Sequence, residues 1–224
     1  MNELIWIALL IVHFSLILLA YKLFGKVGLY AVIAASIVLA NIKVLKLVEM
    51  GGALFTLGNI AYGGIFLATD ILNERHGKKA AQKSVWVGFF IALVAVIMMQ
   101  FALWFTPAFD DFAHPHLEAL FSLVPRIVLA SMIAYILSQT FDVWIFDKLK
   151  QTFHEKKLWL RNNLSTMLSQ LIDSALFVII AFAGVFPMHV FWQILITTYL
   201  IKLLVAVLDT PFMYLAKRIR VKED

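Results

Sequence analysis

Asp173 and Lys202 lie deep inside long apolar runs, where an ionised side chain is expensive unless it has a partner or a task. At ~1.5 Å of rise per helical residue, each falls near the middle of its run. Either the two form an ion pair that holds helices together, or they belong to a polar pocket. Other polar residues at similar depth favour the pocket. Ser131, Tyr135, Ser138 and Asp142 recur at spacings of 4, 3 and 4, which places them on one helical face with Gln139 beside it. Thr166, Ser169, Gln170 and Asp173 form a second such face, preceded by Asn162 and Asn163, which are expected to start and cap that helix. The two faces share a pattern: Ser138-Gln139-Thr140-Phe141-Asp142 matches Ser169-Gln170-Leu171-Ile172-Asp173 at a separation of 31 residues. Neighbouring spans run in opposite directions, so the repeat is inverted, as in transporters that bind substrate at the midplane. Serine and threonine alone would be ordinary helix-packing residues; glutamine and aspartate at equal spacing are harder to explain that way.

These residues sit in a chain whose composition calls for lipid. Of 224 residues, 62% are hydrophobic and only 15% charged, and the mean hydropathy is +0.90. A soluble domain carries about 45–50% apolar and ~25% charged residues. There is no cysteine, which excludes disulfides and thiolate metal sites. A ~30 Å hydrocarbon layer takes about 20 apolar residues. Seven stretches meet this: Leu4–Tyr21, Gly28–Val48, Gly52–Leu72, Ala81–Phe105, Val124–Phe146, Asn162–Gly184 and His189–Ala216. The fold class expected is therefore an all-α integral membrane protein of about seven transmembrane helices. Pro211 is expected to bend or shorten the last. The connections are short, so one transmembrane domain is expected over residues 1–224, with an extra helix at 1–26 and a core at 27–217. The first stretch follows Glu3 and has no basic n-region, so it reads as a span rather than a cleaved signal.

Basic residues set the orientation. Lys22 and Lys26, then Arg75, Lys78, Lys79 and Lys83, then Lys148, Lys150, Lys156, Lys157 and Arg161, and finally Lys217, Arg218, Arg220 and Lys222 follow alternate spans. That puts 15 of the 19 basic residues on one side, which the positive-inside rule makes cytoplasmic. The N-terminus is then outside and the C-terminus inside, as an odd number of spans requires. The net charge of +5 is accounted for in this way, without nucleic acid. Weaker polar points are Asn41 and Asn59 within spans, Asp70 at an inner end and Arg126 at an outer start, the last two as site residues or as interfacial anchors.

Several chemistries lack their residues. There is no GxxxxGK[ST] phosphate loop, no HExxH and no GxSxG. His114-Pro-His116 reads as a solvated loop, and no metal or cofactor is expected. An intramembrane aspartyl enzyme would need Asp142 and Asp173 together, yet they fall at different depths.

At FLATDILNERHG (Phe66–Gly77), RIVLASMIAYILSQTFDVWIFDKLK (Arg126–Lys150) and RNNLSTMLSQLIDSALF (Arg161–Phe177) the chain resembles the queuosine precursor transporters, also called the vitamin uptake transporter family. The resemblance covers roughly residues 29–217. It implies a six-helix core similar to the substrate-binding subunits of energy-coupling-factor importers, to which this chain adds its first span. It also implies import of a 7-deazaguanine, such as 7-cyano-7-deazaguanine or its aminomethyl form, for tRNA modification. The setting would be the bacterial inner membrane, with an energy-coupling module as a partner to consider. A guanine-like edge presents two N–H donors and a carbonyl acceptor. Asp173 suits the donors; Gln139, Gln170 or Lys202 suits the carbonyl; Tyr135 offers a stacking face. With Asp142, Asn41 and Arg126 these make up the candidate substrate-binding set. The alternatives are a permease for another purine or vitamin and, from a different class, the intramembrane enzyme.

Overall fold

The computed structural model describes residues 1–152, 158–219 and 221; the side chains of some helical residues, Gln139 and Asp142 among them, lie outside the described residues. The first helix, α1 (Asn2–Lys43), is 42 residues long and breaks at Gly25, whose φ of 55° and ψ of −138° interrupt the helical path. Glycine alone takes this conformation without a steric penalty. In an unbroken helix His13 and Ser36 would stand ~34 Å apart. Instead His13 Nε2 lies 3.5 Å from Ser36 Oγ. Asn2 Nδ2 donates to the Glu49 carbonyl at 2.8 Å, and the Gly51 N–H donates to Glu3 Oε1 at 3.2 Å. The two arms of α1 are thus an antiparallel helical hairpin, and they supply the first two expected spans.

A two-stranded antiparallel hairpin follows, β1 (Leu47–Met50) with β2 (Ala53–Thr56), in the register Leu47↔Thr56 to Met50↔Ala53. This corrects the expected spans, which carried helix to Val48 and restarted it at Gly52. The Gly51-Gly52 pair has positive φ at both residues (58° and 78°), the geometry of a tight two-residue turn between strands. The third span therefore begins at Gly58, as α2 (Gly58–His76). Then come α3 (Lys78–Trp104), a short α4 (His114–Phe121) within the long acidic loop, α5 (Val124–Thr152), α6 (Leu158–Phe182), α7 (Met188–Leu208) and α8 (Thr210–Arg218). Asp111 Oδ1 accepts the N–H groups of Ala113 and His114 and so starts α4. The seventh span ends early: Pro211 has no N–H to donate back to the preceding turn, and the helix divides at Asp209. Since α6 begins at Leu158, Asn162 and Asn163 lie inside it rather than capping it.

Seven helices thus occupy the seven expected stretches, in an all-α membrane fold. Asn2–Lys43, Lys78–Trp104, His114–Ser138 and Met188–Val205 are long and apolar enough to cross a membrane, among the described residues. The chain forms two compact units, Met1–Pro125 with Leu204–Asp224, and Arg126–Leu203.

In the first unit, the N-terminal arm buries Trp6, Leu10, Phe14, Ile17 and Tyr21, one stripe at spacings of 3 or 4. This stripe meets α2 and α8: Phe14 packs edge-on to Phe212 at 5.0 Å, and Arg75 Nε donates to the Tyr21 hydroxyl at 3.2 Å. The contact is tightest at Gly64, where an added Cβ would fall 1.9 Å from His13 Nε2. Gly64→Ala is therefore expected to destabilise the protein by ~1–3 kcal/mol through overpacking. His13→Ala in the same chain should recover most of that loss. Thermal unfolding in detergent measures both; an unchanged midpoint in Gly64→Ala would show that the first arm does not pack there.

Candidate functional site

The second unit holds most of the polar residues singled out above. Two contacts align α5 and α6 as antiparallel neighbours. Arg126 Nε donates to the Ile180 carbonyl at 2.6 Å and its Nη2 to the Ala183 carbonyl at 2.7 Å. Twelve residues along α5, Ser138 Oγ donates to Asp173 Oδ1 at 3.2 Å. The serine of the first Ser-Gln-x-x-Asp segment thus meets the aspartate of the second. The same register sets position 142 opposite position 169. Arg126, read as either a ligand contact or an anchor, is engaged at the C-terminal end of α6. Its guanidinium satisfies carbonyls that a helix end leaves without partners and complements the negative end of the dipole.

Asp173 Oδ2 is paired with Lys202 Nζ of α7. The lysine side chain is 5% exposed and the aspartate 20%, so one edge of the carboxylate stays accessible. A carboxylate offers about four lone-pair positions. Ser138 and Lys202 take one on each oxygen, which leaves room for further donors. Around this pair lie polar atoms that are buried and, among the described residues, have no hydrogen-bond partner: Gln170 Oε1, Ser174 Oγ and Thr198 Oγ1. Gln170 and Ser174 neighbour Asp173 on α6, and Thr198 is one turn before Lys202 on α7. Each buried group left unmade costs about 1–3 kcal/mol, and a polar ligand is one way to meet all three.

Ser131 and Ser138 are buried and Tyr135 is half-buried on the α5 face. Gln139 and Asp142, on or beside that face, have side chains outside the described residues. Asn41 belongs to the first unit, where its Nδ2 donates to the Ile37 carbonyl at 2.7 Å. Ser174 and Thr198 were not among the candidates read from sequence. Their signal was adjacency to Asp173 and the i, i+4 relation to Lys202, which is weak because threonine in membrane helices usually bonds its own backbone, as Thr197 does to Gln193 and Ile194.

The family described as "Putative vitamin uptake transporter" matches residues 56–216. The chain belongs to that family. A "Probable queuosine precursor transporter" of Bacillus subtilis (strain 168) is 44% identical over 218 residues, covering 97% of this chain and 95% of the relative. Coverage that complete takes in the first helix. A protein of the same description from Haemophilus influenzae is 31% identical over 174 residues, 73% of this chain and 71% of its own. The "Queuosine precursor transporter" of Escherichia coli (strain K12) is 30% identical over 164 residues, 71% of each chain. No solved structure matches. These relatives are transporters, not enzymes, so this vitamin uptake transporter family member is a membrane transporter, and the reading as an intramembrane aspartyl enzyme finds no support among them.

Proposed function

We propose that this transporter imports a 7-deazaguanine queuosine precursor, 7-cyano-7-deazaguanine or a close relative, across the bacterial inner membrane. The observation that carries the reading is the set of unmet polar atoms of Gln170, Ser174 and Thr198 around the Asp173–Lys202 pair. The names of the three relatives favour the same substrate class. A deazaguanine edge has two adjacent N–H donors and a carbonyl. Asp173 accepts the donors at the lone pairs Ser138 and Lys202 leave open. Lys202 faces the carbonyl, Gln170 Oε1 takes a further N–H, and Tyr135 stacks on the ring. Gln139 and Asp142 extend the site along α5 in this reading. Arg126 caps α6 in this reading, and Asn41 of the first unit donates to the Ile37 carbonyl. The direct test is equilibrium binding of 7-cyano-7-deazaguanine, its aminomethyl form, guanine and adenine to the purified protein. Tight binding of the deazaguanines without turnover supports the reading. Binding of guanine or adenine in preference to both would move it to another purine.

The orientation proposed places the N-terminus outside and the C-terminus in the cytoplasm, on the strength of the 15 basic residues gathered on one side. Reporter fusions after Lys26, Lys79 and Lys157 and at the C-terminus are all expected to report cytoplasm. One periplasmic signal among them would reject this topology. An energy-coupling module as partner would reveal itself by copurification with an ATPase and by uptake that needs its nucleotide.

A further inference from the structure

Two carboxylates of the first unit lie on packed helices and, among the described residues, pair with no cation. On α2, Gly63, Leu67, Asp70 and Glu74 recur at 4, 3 and 4 and share one face. The end of α7 and α8 present Val205, Asp209, Met213 and Lys217 at every fourth residue. The helical spacing survives the break between them, because the Asp209 N–H donates to the Val205 carbonyl at 2.9 Å and the Met213 N–H to the Asp209 carbonyl at 3.0 Å. Two contacts clamp these faces together in parallel. An added Cβ on Gly63 would fall 2.3 Å from Val205 Cγ1, and Lys217 Nζ bridges to Glu74 Oε1 at 2.9 Å. Asp70 and Asp209 lie between the clamps, and the charge of Asp70 acts on Asp209.

Asp209 is only 7% exposed, whereas Asp70 is open. Asp209 stands where an aspartate would normally cap α8, yet its side chain makes no cap bond. Among the described residues the other ionisable groups on the surrounding elements are engaged or exposed. Arg75 donates to the Tyr21 hydroxyl and to the Ile219 carbonyl, and Lys217 is held by Glu74. The His76 ring packs edge-on to Tyr21, and the His13 ring packs against Ser36 and Gly64. Lys78, Lys79 and Lys83 of α3 and Arg218 of α8 are exposed. Among the described residues no basic side chain pairs with either aspartate.

We propose that Asp209, served by Asp70, is a proton-binding site that couples import to the proton gradient. A buried carboxylate beside a second carboxylate is costly when both are ionised, and one proton relieves both the desolvation and the repulsion. In each cycle a proton from the outer side converts the Asp209 carboxylate to a neutral carboxyl and then passes to Asp70, the exposed group at the inner end of its span. The same proton leaves on the other side of the membrane, so charge and atoms balance with no further reactant. This rests on the transport reading above and names its driving force.

Infrared titration of the full chain in liposomes, without substrate, tests the site itself. A protonated-carboxyl C=O band is expected that fades as pH rises, is lost in Asp209→Asn and is retained, shifted, in Asp209→Glu. Uptake of 7-cyano-7-deazaguanine into the same liposomes tests the coupling. A one-unit inward proton gradient sustains about tenfold accumulation of a neutral substrate at one proton each. Asp209→Asn is expected to abolish that accumulation but keep substrate exchange, and Asp70→Asn to slow it. Exchange also certifies that the variants are folded. A band unchanged in Asp209→Asn, or accumulation that follows sodium or ignores the proton gradient, overturns the proposal. If no deazaguanine binds, the substrate reading fails, and the infrared band still decides the proton site.

Discussion

Asp173→Asn is expected to abolish binding and transport of the deazaguanine while the protein stays folded in the membrane. The amide keeps the side-chain volume and one oxygen, so Ser138 or Lys202 still finds an acceptor there. The other oxygen becomes an NH2 group that points a donor at a ligand donor. One N–H group of the substrate then meets a donor in place of its acceptor and the other loses a charged acceptor, at about 1–3 kcal/mol each, so affinity should fall on the order of a hundredfold or more. Because Lys202 is almost fully buried, some loss of stability should accompany the substitution. The measurement is equilibrium binding of 7-cyano-7-deazaguanine beside the thermal midpoint in detergent. Wild-type affinity in Asp173→Asn would remove the carboxylate from the site.

Lys202→Met is expected to act on stability and binding together. Removing one partner of a buried pair strands the other charge, at ~3–5 kcal/mol. Asp173 keeps one accessible edge and the Ser138 hydroxyl, so the lower end of that range applies. The double variant Lys202→Met with Asp173→Leu replaces both charges by apolar groups. It should recover most of the lost stability, as such replacements commonly do. Binding should not recover with it. A pair serving only to hold α6 to α7 would predict the opposite for binding: the double variant would bind as the wild type does. Recovery of both quantities would therefore exclude a ligand role for either residue. The surrounding unmet atoms of Gln170, Ser174 and Thr198 are the reason to expect recovery of stability alone, since a purely structural pair gives them nothing to bond.

Helix number, membrane residence and the depth of Asp173 and Lys202 follow from local quantities: apolar run length, the cost of charge in hydrocarbon, and ~1.5 Å of rise per residue. Such terms are readable in sequence because they depend on a window of about 20 residues. The hairpin at Leu47–Thr56 was missed because a short apolar stretch beside an apolar helix has no periodicity of its own. Gly51-Gly52 was its one local sign, and apolar run length overrode it. The basic distribution supports an orientation that the fold alone does not report.

What only the tertiary structure decided is which of these residues meet. Asp173 and Lys202 are 29 residues apart, Arg126 reaches carbonyls 54 and 57 residues on, and His13 lies against Gly64. The sequence placed Arg126 at a helix start; it could not say that the carbonyls ending α6 would come within 2.7 Å of its guanidinium. It placed Asp209 in the last span, without showing that α2, which carries Asp70, packs there. These pairings depend on the register and rotation of helices packed side by side, which arise from side chains fitting across distant segments. No short window of sequence contains both partners. Composition and run length determined that this is a helical membrane protein with charges at unusual depth, and packing determined which partners those charges have.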